Sequence, residues 1–312
     1  MTAPRSLGNG RYEIHEALGS GGMATVYRAR DTWFGQECAV KLLTPSAAKS
    51  QKTRTRFLSE ARTMAVLDHP NVIRVLDVGD EEGQFYFVME YAPGGSLADL
   101  VRKKGPRAPR EALGHVFHAL RGLDYAHVAG VVHRDVKPHN MLLAAALDDR
   151  RAVEHRRHVV KLTDFGIARL VASGGGSRIT GTGDTLGTLA YMSPEQRADP
   201  RSAGPESDIY GIGATLYLMV TGRRPFDLAM SHLDRSVYER LPAEVAPIVR
   251  RATEQAPQDR YPTARAMAEA VAEVWRTVDP DAVPIASLED FALDDSQTII
   301  APGNDDPSLP EG

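Results

Sequence analysis

Two motifs in the middle of the chain decide how the whole sequence is interpreted. The first is Val131-Val-His-Arg-Asp135-Val-Lys137-Pro-His-Asn140-Met-Leu-Leu143, and the second is Lys161-Leu-Thr-Asp164-Phe165-Gly166. Both end on, or are flanked by, short apolar runs, and both carry acidic side chains that an ordinary core segment would not contain. Two segments that precede these motifs, a glycine-rich one and one with a lysine, indicate which ligand the acidic side chains could bind.

A glycine-rich segment near the start of the chain lies between two runs with strand character. It reads Leu18-Gly19-Ser20-Gly21-Gly22-Met23-Ala24-Thr25-Val26-Tyr27. Without side chains at Gly19 and Gly21 the backbone can approach phosphate groups and turn its N–H groups toward them. By itself the segment does not establish a phosphate-binding site, since a glycine-rich hairpin is commonly only a turn.

A lysine follows in the short apolar run Cys38-Ala-Val-Lys41. A lysine in such a strand is usually an edge residue whose ammonium group reaches water, unless a carboxylate pairs with it. Glu60 could supply that carboxylate, because helical spacing of apolar residues predicts a helix over Arg56 to Leu67.

The pattern of apolar residues predicts an α+β, bilobal architecture. Short apolar runs broken by Gly and Asp favour strands from Tyr12 to Met89. After Pro93 the periodicity becomes helical, with one predicted helix between Glu111 and His127 and a buried one between Ile209 and Val220. We therefore expect a small, mostly β lobe over 12–92 and a larger, mostly α lobe over 93–276, preceded by an extension over 1–11.

Composition narrows the class of protein. The chain has 312 residues, 42% of them hydrophobic and 25% charged, with one cysteine and a formal charge of -4. Residues 277–312 contain nine acidic and no basic side chains, so the rest of the chain carries a mild formal charge of +5. We expect this acidic tail to be disordered. A charge of +5 spread over the body does not suggest a nucleic-acid binder.

Compartment and membrane signals are weak throughout the sequence. The longest apolar run, Ile209 to Val220, is shorter than the roughly 20 residues that cross a bilayer. The first ten residues have no apolar run typical of a secretory signal. With a single cysteine, Cys38, the chain cannot form an internal disulfide. These observations predict a cytoplasmic protein without a membrane span.

The ordered motifs together resemble the eukaryotic-like serine/threonine protein kinase family, in its bacterial form. The resemblance rests on the H-R-D-x-K-x-x-N and D-F-G motifs downstream of the Gly-rich segment, the Val-Lys strand and the helix glutamate. It continues through Ser193-Pro-Glu195, Ser207-Asp208 and Asp259-Arg260, and so covers roughly residues 12–275. One departure is Ala24, which occupies the position of the third glycine in the Gly-rich loop.

The resemblance implies roles for each matching residue. Gly19 and Gly21 would cover the phosphates of ATP, and Lys41, oriented by Glu60, would hold the α and β phosphates. Asp164 and Asn140 would bind Mg²⁺, with Mn²⁺ as an alternative ion. Asp135 would accept the proton of the incoming hydroxyl group, and Lys137 would face the transferred phosphate. The adenine site would be formed by Leu18, Val26, Ala39, Met89, Glu90, Ala92 and Leu142.

The family also implies protein substrates and control by phosphorylation. Thr180 and Thr182 match the positions of autophosphorylated threonines in the activation segment, and Arg134 would pair with their phosphates. In the tail, Thr298 follows Asp294-Asp295 and is a candidate site for a phosphothreonine-binding partner. Two alternatives remain at this point: a pseudokinase that acts as a scaffold, and a small-molecule kinase of related fold. Autophosphorylation with labelled ATP would distinguish either from a protein kinase.

Overall fold

A six-stranded antiparallel sheet forms the N-terminal part of the protein. The computed structural model describes residues 4–145, 159–165, 189–231 and 234–278. The strands are β1 (Ser6–Leu7), β2 (Tyr12–Ser20), β3 (Ala24–Asp31), β4 (Gln36–Leu43), β5 (Val75–Glu81) and β6 (Gln84–Glu90). Their order in the sheet is β1-β2-β3-β4-β6-β5. The predicted strands are therefore confirmed, and part of the predicted N-terminal extension forms the edge strand β1.

Two helices, α1 (Pro45–Ala48) and α2 (Gln51–Ala65), connect β4 to β5. The helix α2 buries Phe57, Glu60, Ala61 and Met64. It starts at Gln51, earlier than the predicted Arg56, because Ser50 caps it by accepting a hydrogen bond from the Thr53 N–H at 3.3 Å. The first turn is polar, so the apolar spacing alone did not reveal it.

The second part of the protein is mostly helical. Its helices are α3 (Leu97–Lys104), α4 (Pro109–Val128), α5 (Pro194–Ala198), α6 (Pro205–Thr221), α7 (Ala246–Ala252) and α8 (Ala264–Val278). Short 3₁₀ turns occur at Pro138–Asn140, Pro200–Ser202, Pro225–Met230, Arg235–Arg240 and Pro257–Asp259. The helix α6 is buried over most of its length, as the sequence predicts for an apolar run without a polar face.

A small two-stranded sheet lies next to the junction of the two parts. It pairs β7 (Met141–Leu143) with β8 (Val160–Leu162) in antiparallel register. Because β7 directly follows Asn140 and β8 directly precedes Thr163-Asp164, this hairpin brings the two decisive motifs side by side. The bilobal α+β architecture predicted from the sequence is confirmed.

Several predictions fall on residues outside the described ranges. These are Gly166, Thr180 and Thr182 in the activation segment, Thr298, and the acidic tail from residue 279 onward. Within the described ranges, no helix is both long and apolar enough to cross a membrane.

Candidate active site

Lys41 lies at the centre of a cluster of opposite charges. Its Nζ atom is 2.6 Å from Glu60 Oε1 and 2.8 Å from Asp164 Oδ1. The strand β4 supplies the lysine, α2 the glutamate, and the segment after β8 the aspartate. Sequence analysis predicted the pair with Glu60, and the structure adds the contact with Asp164.

Electrostatics keeps Lys41 and Asp164 charged, although Lys41 is largely removed from water. Burial alone would lower the pKa of Lys41, but the charges of Asp164 and Glu60 raise this pKa above its usual range. Burial would raise the pKa of Asp164, yet the neighbouring Lys41 ammonium lowers it below the usual value. The side chain of Asp164 remains 42% exposed, against 14% for Lys41. Asp164 can therefore offer a carboxylate oxygen to a ligand.

The segment around Asp135 forms a second group of polar contacts. Lys137 Nζ is 2.8 Å from Asp135 Oδ2. The Asn140 side-chain amide donates to the Asp135 backbone carbonyl at 2.9 Å and to Asp135 Oδ2 at 3.1 Å. Because the Asn140 nitrogen is used as a donor here, its amide oxygen is the atom left to bind a cation.

Backbone strain marks both motifs. Arg134 and Asp164 have φ values of 64° and 57°, in the left-handed region that non-glycine residues rarely adopt. Asp208 holds the first of these turns: its carboxylate accepts hydrogen bonds from the N–H of His133 at 2.8 Å and of Arg134 at 2.7 Å. Asp208 is 1% exposed on α6. The left-handed backbone at Arg134 is thus held by a buried carboxylate on α6.

Both groups line one cavity between the two parts of the protein, with a volume of about 850 Å³. The glycine-rich turn between β2 and β3 forms one wall, and β6 with the following segment forms another. All predicted nucleotide, metal and catalytic residues within the described ranges line it: Leu18, Gly19, Gly21, Val26, Ala39, Lys41, Glu60, Met89, Glu90, Ala92, Asp135, Lys137, Asn140, Leu142 and Asp164. The volume suits a ligand of nucleotide size.

Comparison with known proteins agrees with this geometry. The family model described as protein kinase domain matches residues 12–275. The chain belongs to the protein kinase family. The chain is 37% identical over 271 residues to the serine/threonine-protein kinase PrkC of Bacillus subtilis. This alignment covers 83% of this chain and 40% of PrkC.

Two further relatives come from Mycobacterium tuberculosis. Identity to the serine/threonine-protein kinase PknB is 36% over 299 residues, covering 90% of this chain and 45% of PknB. Identity to the serine/threonine-protein kinase PknL is 37% over 283 residues, covering 86% of this chain and 67% of PknL. The chain therefore spans less than half the length of PrkC and PknB.

Among solved structures, the kinase domain of Mycobacterium tuberculosis PknI is similar, with a TM-score of 0.63 and 26% sequence identity. The alignment covers 88% of this chain and all of that one. The family uses ATP and a divalent metal ion. In this kinase domain the donors near the cavity centre are a carboxylate and an amide oxygen, from Asp164 and Asn140. These hard ligands fit Mg²⁺, which takes few protein ligands and keeps substrate phosphates and water as the others.

Some residues that organise the kinase site were not predicted from the sequence. Asp208 was part of the motif Ser207-Asp208, but no role was assigned to it. The sequence feature that could have revealed its role is a carboxylate next to an apolar helical run. Burying a carboxylate destabilises the fold unless several hydrogen-bond donors satisfy it. Lys161 Nζ contacts Glu90 Oε2 at 3.0 Å and joins the end of β6 to β8. This contact links positions far apart in sequence, so no local pattern could reveal it.

Cys38 is buried in β4, beside the cavity residue Ala39. Burial raises the pKa of its thiol to about 11, which lowers the thiolate fraction at neutral pH.

Proposed function

We propose that this domain transfers the γ-phosphoryl group of ATP to serine or threonine hydroxyl groups of proteins, with Mg²⁺ as the metal ion. The observation that carries the proposal is the Lys41–Glu60–Asp164 cluster, which shares one cavity with Asp135. Phosphoryl transfer needs mainly positioning and charge stabilisation, and this arrangement supplies both.

Each side chain has a defined task in this proposal. Lys41, fixed between two carboxylates, binds the α and β phosphates. Asp135 orients the substrate hydroxyl and accepts its proton, while Lys137, 2.8 Å from Asp135, faces the transferred group. Bound Mg²⁺ would supply positive charge against the phosphates. Asp164 and Asn140 would hold it.

Contacts in the helical lobe favour protein hydroxyl groups, rather than a small molecule, as the phosphoryl acceptor. The Ser193-Pro-Glu195 segment starts α5, and Gln196 Nε2 donates to the Arg134 carbonyl at 3.0 Å. This contact holds the segment that would support a peptide against the loop that carries Asp135. The cytoplasmic location expected from the sequence would give the domain access to ATP.

The experiment is incubation of the chain with γ-labelled ATP and Mg²⁺, followed by phosphoamino-acid analysis. We expect label on serine and threonine, and a loss of about 10²- to 10⁴-fold in the Asp135→Asn variant. Asp68→Asn, a change at an exposed aspartate, is the matched control and should label normally. A wild-type chain that binds ATP without transferring label would instead be a pseudokinase. Label transferred only to a small molecule would indicate the other alternative.

Control by the activation segment is the second part of the proposal. Arg134 Nε is buried and has no hydrogen-bond partner, which suits a residue that receives a phosphate. We expect autophosphorylation at Thr180 and Thr182, detected by mass spectrometry. The Thr180→Ala/Thr182→Ala chain should have lower activity. Full activity without phosphate at either position would exclude this control.

A phosphothreonine-binding partner at Thr298 remains a proposal that rests on the sequence. Arg clusters recognise such phosphates through charge-assisted hydrogen bonds. Capture of a phosphothreonine-binding domain by the phosphorylated chain, and not by Thr298→Ala, would support it. Equal capture by both chains would exclude it.

A further inference from the structure

A strip of basic side chains lies on the helical lobe, away from the phosphate-binding residues. Five of its members occur between the end of α3 and the start of α4: Arg102, Lys103, Lys104, Arg107 and Arg110. Two carboxylates offset part of this charge, since Asp99 pairs with Arg102 at 2.5 Å and Glu111 pairs with Arg107 at 2.6 Å. The segment as a whole therefore stays positive.

The strip continues to the opening of the active-site cavity. The Arg107 N–H donates to the Met219 carbonyl at 2.7 Å, which fixes the α3–α4 connection against the end of α6. Gly222 ends α6 with a φ of 69°, and a Cβ atom there would lie 2.9 Å from Pro106. Arg223 and Arg224 follow and are exposed, and Arg224 lines the cavity. We call these seven residues, 102–104, 107, 110, 223 and 224, the basic strip.

The acidic tail leaves the described structure beside this strip. The helix α8 packs antiparallel to α4: Arg265 pairs with Asp124 at one end, and the Arg110 guanidinium lies 5.2 Å from the centre of the Trp275 ring at the other. The helix ends at Val278, shortly after Trp275. Val278, the last described residue, therefore lies about one helical turn beyond Trp275, which contacts Arg110 of the basic strip.

Charge and chain length together identify the occupant of the strip. Residues 279–312 contain nine acidic and no basic side chains. If the tail behaves as the disordered chain that its composition predicts, it spans roughly 5–6 Å times the square root of its number of residues and stays within a few tens of ångströms of Val278. A tether of this kind gives an effective concentration in the millimolar range. We propose that the acidic tail docks in cis on the basic strip through opposite charge.

Docking in this place has a consequence for the active site. The strip runs from the end of α8 toward Arg224, which lines the cavity, so a docked tail would lie at the cavity opening. The proposal does not depend on phosphoryl transfer. It can be tested without nucleotide, so its failure would leave the proposed function untouched.

The test is carbodiimide cross-linking of an equal mixture of ¹⁴N- and ¹⁵N-labelled chains of residues 1–312. The carbodiimide activates a tail carboxyl group, a lysine amine in contact attacks it to form an amide, and the reagent leaves as its urea. We expect links from tail carboxylates to Lys103 and Lys104 within chains of one isotope. Lys49 and Lys52, exposed on the other lobe, should show background yield. Screening in 1 M salt, where the Debye length is about 3 Å, should remove the links.

Two charge reversals sharpen this result. Arg102→Glu should lower the yield at Lys103 and Lys104 several-fold, whereas Arg62→Glu, at an exposed arginine of α2, should leave it unchanged. Links between chains of different isotope would show a second copy as the occupant and overturn docking in cis. Yields at Lys103 and Lys104 no higher than at Lys49 would also overturn it, and would leave the strip to an acidic partner or a nucleic acid.

Discussion

Two ion pairs with low exposure to water, one in each lobe, differ in how completely they are satisfied. In the helical lobe Arg260 has no exposed side-chain area and binds both oxygens of Glu195, at 2.7 and 2.8 Å. Its remaining donors reach the backbone carbonyls of Glu206, Glu254 and Gln255. One cation thus meets one carboxylate, and the hydrogen bonds close around them.

The cluster around Lys41 is not closed in this way. One ammonium group there contacts two carboxylates, those of Glu60 and Asp164, and the Asp164 side chain remains 42% exposed. This carboxylate can therefore still bind a metal ion, for which carboxylate oxygens are suitable ligands. The comparison indicates that the Arg260 pair supports the fold and that the Lys41 cluster supports ligand binding.

The largest expected effect is on stability, at Arg260. Arg260→Met would leave Glu195 without its buried partner, and breaking such a pair costs about 3–5 kcal/mol. The free energy of unfolding, measured with urea, should fall by this amount. Arg250→Met is the matched control, because Arg250 is 52% exposed and lies 3.9 Å from Glu254. Equal losses in both variants would contradict a special role for Arg260.

The next effect is on turnover, at Lys41. Lys41→Met should reduce phosphoryl transfer by about 10²- to 10³-fold, because a charge that positions phosphates is lost. Burial already raises the pKa of Glu60, so this carboxyl group can take up a proton when the lysine is absent, and the unfolding midpoint should change little. Lys49→Met, at an exposed lysine in the same lobe, is the control. Normal turnover in Lys41→Met would remove the basis of the assignment.

A smaller effect is expected on the stability of the protein at low pH, through Glu195. Burial would raise the pKa of Glu195, but hydrogen bonds from Arg260, Ser207 and Ser193 lower it from 4.5 to about 2. The carboxylate therefore contributes stability that is present above pH 4.5 and is lost as the pH falls toward 2. Glu195→Gln should show a weaker decline of the urea midpoint over this range. Parallel declines in both chains would mean that Glu195 does not titrate as described.

The described residues that the sequence predicts for the site line one cavity, whereas several details of the fold were not predicted. Motif residues such as Lys41 and Asp164 carry unusual chemistry for their apolar surroundings, so they could be recognised directly. The strand Ser6–Leu7 has too few residues to show a period. Arg134 takes a left-handed conformation in a turn whose N–H groups bind the distant Asp208, and such a tertiary cause leaves no local pattern. Glu195 and Arg260, by contrast, belong to motifs that the resemblance covers, and the structure pairs them.

One binding measurement tests most directly whether the Lys41 cluster binds a nucleotide together with a metal ion. The affinity for a non-hydrolysable ATP analogue is measured by calorimetry with and without Mg²⁺, in the wild-type chain and in Asp164→Asn. We predict that Mg²⁺ tightens nucleotide binding strongly in the wild type and much less in Asp164→Asn, with unchanged unfolding midpoints. Equal tightening in the two chains would contradict this joint binding.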